Sequence, residues 1–421
     1  MKFIKINFGR FTPVIKNASY LSVFEIMRMV MPFIALPYLI STVGKDNYGT
    51  VVFVQSIIAC FTLIINFGLD TSAVKDVAVH RDQKEQLDKI VSSVIIIKSL
   101  FLIISFLLLV GILLVVPKLG AISQIFYFAF IACFADIFIP VWYFQGKEEM
   151  KILTIIRFFS IAFYTVSIFI FVRVETDYPY IALLQSISLV LSSAVSCYFV
   201  FGKDKIHFSI PQTAFMTKML KESSPFFLSR VSLAINGYMA KIMSYFFLSG
   251  AAVASFDVAQ KIIAGGMMPM QMFNQALYPN ISKSQDKQML HRGFRIIACI
   301  TVCITIIILF VSDFGIRLLS GGEIQEAGLL RILCIYLFLA GFSVFMGTST
   351  LVAFGYQKPF NMSVIWSTVV LIICYSLMII TGNSSIYLYA LTLVAAECMV
   401  FGYRFYYCHK YGLLSLRNIF E

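Results

Sequence analysis

Seven of the 33 Lys and Arg residues in this 421-residue chain fall inside long apolar stretches: Arg28, Lys98, Arg157, Arg230, Lys241, Lys261 and Arg331. A charge at the centre of a membrane-spanning helix costs about 2.5–3.5 kcal/mol on insertion scales, so it persists where it meets a partner or a wet cavity. Embedded acids are fewer: Glu25, Asp136, Asp257 and Glu397, with Asp70 at the end of an apolar stretch. Arg230, Ala234, Gly237, Tyr238 and Lys241 share one helical face that carries two cations and no acid. Asp257, Lys261, Ala264, Met268, Gln271 and Gln275 share another, and Gln55, Ala59, Thr62, Asn66 and Asp70 form a polar stripe on a third. Such faces would line a hydrophilic, positive cavity suited to an anionic substrate. Arg28, Arg230, Lys241 and Lys261 are the substrate-binding candidates. Glu25, Asp70, Asp257 and Glu397 are the candidates for coupling to a proton or sodium ion. Glu25–Arg28 and Asp257–Lys261 also have the i, i+3 and i, i+4 spacing of pairs that neutralise one another, and this reading stands beside the first. Lys98 and Arg157 lie near the inner ends of their spans, where snorkelling would keep their charges wet.

Other chemistry is not indicated. No GxxxxGK[ST] loop is present to cradle nucleotide phosphates, and no Asp-rich or CxxC…CxxC metal pattern occurs. The four histidines (His80, His207, His291, His409) lie in basic loops, away from any buried base position. Most of the nine cysteines lie in apolar spans and read as small packing residues. The chain is expected to have no catalytic residues, metal site or cofactor.

The elements that must hold these residues are membrane helices. Hydrophobic residues make up 60% of the chain and charged residues 13%, about half the share in soluble globular proteins. Spans are expected at about 17–42, 48–67, 91–116, 121–143, 152–172, 179–202, 222–248, 251–281, 294–314, 328–353, 360–381 and 386–408. A Gly44–Asn47 turn joins the first two, a charged loop is expected over 71–90, and the run 251–281 contains a potential break at Gly265-Gly266 or Pro269. The Met-rich segment around that point reads as gap-filling or as a hinge. The basic N-terminus lacks the compact apolar core of a signal peptide. With both termini cytoplasmic, interior segments hold 22 of the Lys and Arg residues and exterior loops four, a strong positive-inside bias. The formal charge of +12 therefore belongs to membrane topology, and no nucleic-acid partner is implied. A faint repeat places Val54-Gln55-Ser56-Ile57 on Ala259-Gln260-Lys261-Ile262, which suggests two parallel six-helix halves, 1–210 and 211–421.

The segments LPYLISTVGKDNYGTVVFVQSI (Leu36–Ile57), INFGLDTSAVKDVA (Ile65–Ala78), PVWYFQGKEEMKILT (Pro140–Thr154) and FDVAQKI (Phe256–Ile262) resemble the polysaccharide-exporter branch of the multidrug/oligosaccharidyl-lipid/polysaccharide (MOP) superfamily, most nearly its O-antigen flippases. The resemblance extends over essentially the whole chain. It implies an all-α integral membrane protein with about twelve transmembrane helices in two six-helix lobes around a central cavity. It also implies translocation of undecaprenyl-diphosphate-linked oligosaccharide to the outer leaflet of a bacterial inner membrane. Arg28, Arg230, Lys241 and Lys261 fit the family's cationic lumen. The implied partners are the lipid-linked anionic oligosaccharide and membrane lipid, with proton or sodium coupling and a polysaccharide polymerase as compatible additions. Two other readings remain at this level. One is an ion-coupled multidrug antiporter of the same superfamily, whose cavity should be acid-rich. The other is a membrane polymerase or glycosyltransferase, which should show a large outer loop or an acidic catalytic motif.

Overall fold

The computed structural model describes residues 31, 33–325 and 327–414. All secondary structure among them is helical. In chain order, leaving out the single turn Pro117–Gly120, the α-helices are α1 (Phe33–Val43), α2 (Lys45–Asn66), α3 (Leu69–His80), α4 (Lys84–Val115), α5 (Ser123–Ile137), α6 (Val141–Gly146), α7 (Met150–Phe171), α8 (Tyr178–Cys197), α9 (Thr213–Phe247), α10 (Gly250–Ser284), α11 (Lys287–Leu319), α12 (Gly328–Phe345), α13 (Gln357–Thr381) and α14 (Ile386–Lys410). Nine described helical segments are long and apolar enough to cross a membrane. The more polar α9 and α10 are 35 residues each. On α4, Leu100, Ile103, Ile104 and Leu107 are exposed at helical spacing, as are Ile306, Ile307, Phe310 and Phe314 on α11. Lipid is the solvent that such faces fit.

By its contacts the chain divides into two compact units. Among the described residues, the first contains those up to Val43 together with Val54–Val231; the second contains Gly44–Phe53 and those from Ser232 onward. Helices α2 and α9 thus each contribute to both.

In the first unit, α5 packs along α8 and α3 packs on α6. Small residues allow the close approach on α8: Ser186, Ser188, Ser192, Ser193 and Ser196 are buried there. Ser186 donates to the Phe128 carbonyl at 2.7 Å, so the polar side chain is satisfied within the bundle. A denser core gathers Leu69, Ala73 and Val77 of α3, Leu87, Val91 and Val94 of α4, and Trp142, Tyr143 and Phe144 of α6. This core corrects the expected loop over 71–90. Leu69, Ala73 and Val77 recur every four residues, and that apolar stripe folds the charged segment into an amphipathic helix, with only the residues between His80 and Lys84 left outside helices.

In the second unit, α12 packs against α10, α11 and α14, and α13 packs on α14. Helix α10 runs unbroken through Gly265-Gly266, Pro269 and Pro279, which removes the expected interruption. Spanning helices tolerate proline where neighbouring side chains satisfy the freed backbone groups. Between the two prolines, Asn274 Nδ2 donates to Thr348 Oγ1, and Ser349 Oγ donates to Asn274 Oδ1. Thr348 and Ser349 belong to a π-helical turn, Met346–Val352, at the end of α12.

Candidate functional site

The site in the second unit is built on three helix segments. Gly44, with φ of 78°, turns the chain so that α2 starts at Lys45, which shortens the expected four-residue turn to one residue. The first turns of α2 lie against the N-terminus of α10. Asp46 accepts from the Ala251 N–H at 2.8 Å, and Ser249 caps α10 by accepting from Ala252 at 3.2 Å. Gly49 lies directly against the Gly250 backbone, where any Cβ would collide. Phe53 stacks on Tyr245 of α9 with ring centroids 3.9 Å apart. These contacts fix Tyr48.

Asp257 of α10 is 4% exposed, and three groups converge on its carboxylate. Lys241 of α9 lies 2.8 Å from Oδ1, Lys261 lies 2.5 Å from Oδ2, and the Tyr48 hydroxyl donates to Oδ2 at 2.6 Å. Lys261 also donates to the Tyr48 oxygen at 2.7 Å. One carboxylate serves two ammonium groups, so the cluster carries one surplus positive charge. An ammonium has three donors. The Lys261 side chain is 31% exposed, and the two bonds just given leave it a donor for an incoming anion. The face of α9 that looked acid-free in sequence therefore receives its acid from α10.

The first unit holds a second cluster of the same charge. Gly68, with φ of 75°, separates α2 from α3, and a Cβ there would lie 2.6 Å from the Ser223 carbonyl. Phe67 stacks between Phe101 and Phe227, and Ser72 hydrogen-bonds Ser223 at 2.6 Å. This places Asp70 between Lys98 of α4, at 2.7 Å, and Arg230 of α9, at 3.8 Å. Arg230 also donates to Thr71 Oγ1 at 3.1 Å, and its side chain is 41% exposed. Lys98 is 1% exposed, which overturns the snorkelling expectation. Its ammonium turns inward because Asp70 supplies a closer partner than the membrane surface does.

Of the other sequence candidates, Glu397 lies within electrostatic reach of Arg404. Arg404 itself, within the expected span 386–408, is buried. It donates to Ser363 Oγ at 2.9 Å and the Ser343 carbonyl at 2.7 Å, and it stacks on Phe360. Gly347 makes room for it, since a Cβ would lie 2.6 Å from Nη1. Arg157 is half-buried on α7, and Arg331 pairs with Asp313 at 2.6 Å. Glu25 and Arg28 lie outside the described residues. The polar stripe of α2 does not face open space. Gln55 bonds Gln185 at 2.6 Å, Thr62 contacts Cys133 at 3.4 Å, and Asn66 donates to Asp136 at 3.0 Å, each on a neighbouring helix. Sequence reasoning missed Tyr48 because its partner lies 209 residues away and a tyrosine near a span end is usually interfacial.

Residues 14–285 match the family model described as "Polysaccharide biosynthesis protein". A protein of Escherichia coli (strain K12) named "Putative O-antigen transporter" is 23% identical over 395 residues, covering 91% of this chain and 94% of its own. A protein of Shigella dysenteriae with the same name is 27% identical over 274 residues, covering 64% and 67%. The fold is that of an inward-facing multidrug resistance MATE family transporter of the MOP superfamily (TM-score 0.69, 16% identity, 91% of this chain and 98% of the other). It is also that of the lipid II flippase MurJ in an inward closed conformation (TM-score 0.71, 16% identity, 95% and 88%).

Proposed function

Because the chain belongs to the polysaccharide biosynthesis protein family, we propose that it is a flippase for undecaprenyl-diphosphate-linked oligosaccharide, an O-antigen or related surface-polysaccharide repeat unit, and moves it from the cytoplasmic to the outer leaflet of the inner membrane. Membrane spans and the names of its relatives support a multi-pass transporter. The positive-inside bias supports cytoplasmic termini.

The observation that carries the reading is the Asp257 carboxylate shared by Lys241 and Lys261. A cluster with one surplus positive charge, inside a membrane protein, is stable as it stands and gains a further partner when an anion arrives. The diphosphate is that anion in this reading. It accepts from Lys261 and from the donors of Lys241 that Asp257 leaves free, and it need not displace Asp257. Arg230 plays the same part at Asp70, where its planar fork matches phosphate oxygens. Arg28 is assigned to the same pathway from the sequence. The surplus of cations over acids in both clusters favours an anionic cargo over the cationic cargo of a drug antiporter. Asp70 and Asp257 then serve chiefly to hold their cations in place.

The test is loss of surface polysaccharide on replacing Lys241 or Lys261 by Ala, with normal protein level in the membrane. In vesicles the same variants should fail to move labelled head group from the inner to the outer face. Full translocation by both variants would remove the proposed role.

A further inference from the structure

The geometry points to a binding site for a small monovalent cation between Asn66 and Asp136 in the first unit, separate from both cationic clusters. Asp136 lies inside the spanning segment Ser123–Gly146. Asp70 and Asp257 each lie within ion-pair distance of two cations, and Glu397 is within electrostatic reach of one. Among the described residues, no Lys, Arg or His reaches the Asp136 carboxylate within ion-pair distance. Its hydrogen-bond partner is Asn66 Nδ2, at 3.0 Å. An embedded carboxylate without a cation is expensive to keep.

Two further features point to what completes it. Asn66 is 7% exposed, and its Oδ1 is buried without a hydrogen-bond donor. An orphaned amide oxygen costs about 1–3 kcal/mol, so a ligand that accepts its lone pair relieves a real penalty. The residue is also the last of α2, and Asp136 is the penultimate residue of α5. Both helices stop there for reasons visible in the chain: Phe67 and Gly68 take positive φ after α2, and Pro140 follows α5. Two helix C-termini, each with the negative end of its dipole, therefore meet at a carboxylate and a free amide oxygen. Discontinuous spanning helices with C-terminal ends turned to one point are a known way of holding sodium ions or protons in transporters.

The donor set chooses the ligand. It offers hard oxygens and a single negative charge, which suits a monovalent ion better than a divalent or thiophilic one. Thr62, one turn before Asn66 on α2, is already engaged: its Oγ1 donates to the Ile58 carbonyl at 3.0 Å and contacts Cys133 Sγ. Asp70, one turn beyond Asn66, is held by Lys98. Among the described residues, no Lys, Arg or His therefore competes with a cation at Asp136 within ion-pair distance.

Sodium is the probe. The full chain, purified into nanodiscs, should bind radioactive sodium saturably, and its melting temperature should rise in sodium chloride relative to choline chloride at equal ionic strength. Asp136→Asn should abolish both responses. Asn66→Ala should weaken sodium binding about tenfold or more, while Asn66→Asp should keep it. Asp313→Asn, at a surface ion pair, should bind as the parent does. The absence of a sodium response in the parent chain would overturn the proposal, and so would an undiminished response in Asp136→Asn. If that variant does not fold, Asn66→Ala decides between the same outcomes.

Discussion

Replacing Lys241 by alanine changes the charge of the Asp257 cluster from one surplus positive to zero, and the consequences can be worked out from its geometry. Asp257 keeps Lys261 at 2.5 Å and the Tyr48 hydroxyl at 2.6 Å, so it is not stranded. The cost to stability is then one charge-assisted hydrogen bond, about 1.5–3 kcal/mol, well under the loss expected for a buried ion left alone. The cost to anion binding is larger. A surplus charge about 6 Å from a phosphate, at an effective dielectric of about 20, is worth about 3 kcal/mol, or roughly a hundredfold in affinity. Undecaprenyl diphosphate binding to the purified chain in nanodiscs is the assay, read alongside melting temperature. The decisive comparison is Lys241→Ala combined with Asp257→Asn. The double variant again carries one surplus positive charge, on Lys261, so it should recover much of the lost affinity although it lacks both original partners. Equal binding by the single and double variants would refute the charge argument. It would leave Lys241 with a packing or orienting part.

Gly49→Val should remove most folded protein from the membrane, because its side chain would collide with the Gly250 backbone and overpacking of this kind costs about 1–3 kcal/mol or more; quantitative blotting of membrane fractions checks it. Burial, and then the Glu222 carboxylate, push the Asp76 carboxyl above its ordinary range. The folded state thus holds this proton more tightly than the unfolded state, and the strain grows as pH rises through the folded value. Asp76→Asn should therefore melt at a higher temperature than the parent at neutral pH, with the gap closing as pH falls through the folded value and gone below about 3.9. Reporter fusions after Gln83, Lys147, Lys205 and Lys287 should register cytoplasm, and fusions after Asp46, Asp177 and Gly322 the outside; two or more inverted sites would overturn the topology.

Part of this protein is determined locally and can be read from the chain. Long apolar runs bounded by basic residues specify spanning helices wherever they occur, because the bilayer allows few other ways to satisfy a backbone. The Asp257–Lys261 contact follows from helical pitch, since residues four apart share a face whatever packs beside them. The α3 helix was equally legible in Leu69, Ala73 and Val77, although its charges suggested a loop. What only the tertiary structure decides is which helix faces which. Lys98 is satisfied inside the bundle because α4 turns it toward Asp70 of α3, and nothing local to either segment requires that rotation. Tyr48 completes the Asp257 cluster because the first turns of α2 pack in the second unit, through a Gly49–Gly250 contact that spans some two hundred residues. The α2 stripe shows the same division: its polarity is fixed by spacing. Whether Gln55, Thr62 and Asn66 face water or Gln185, Cys133 and Asp136 depends on the angle at which neighbouring helices pack.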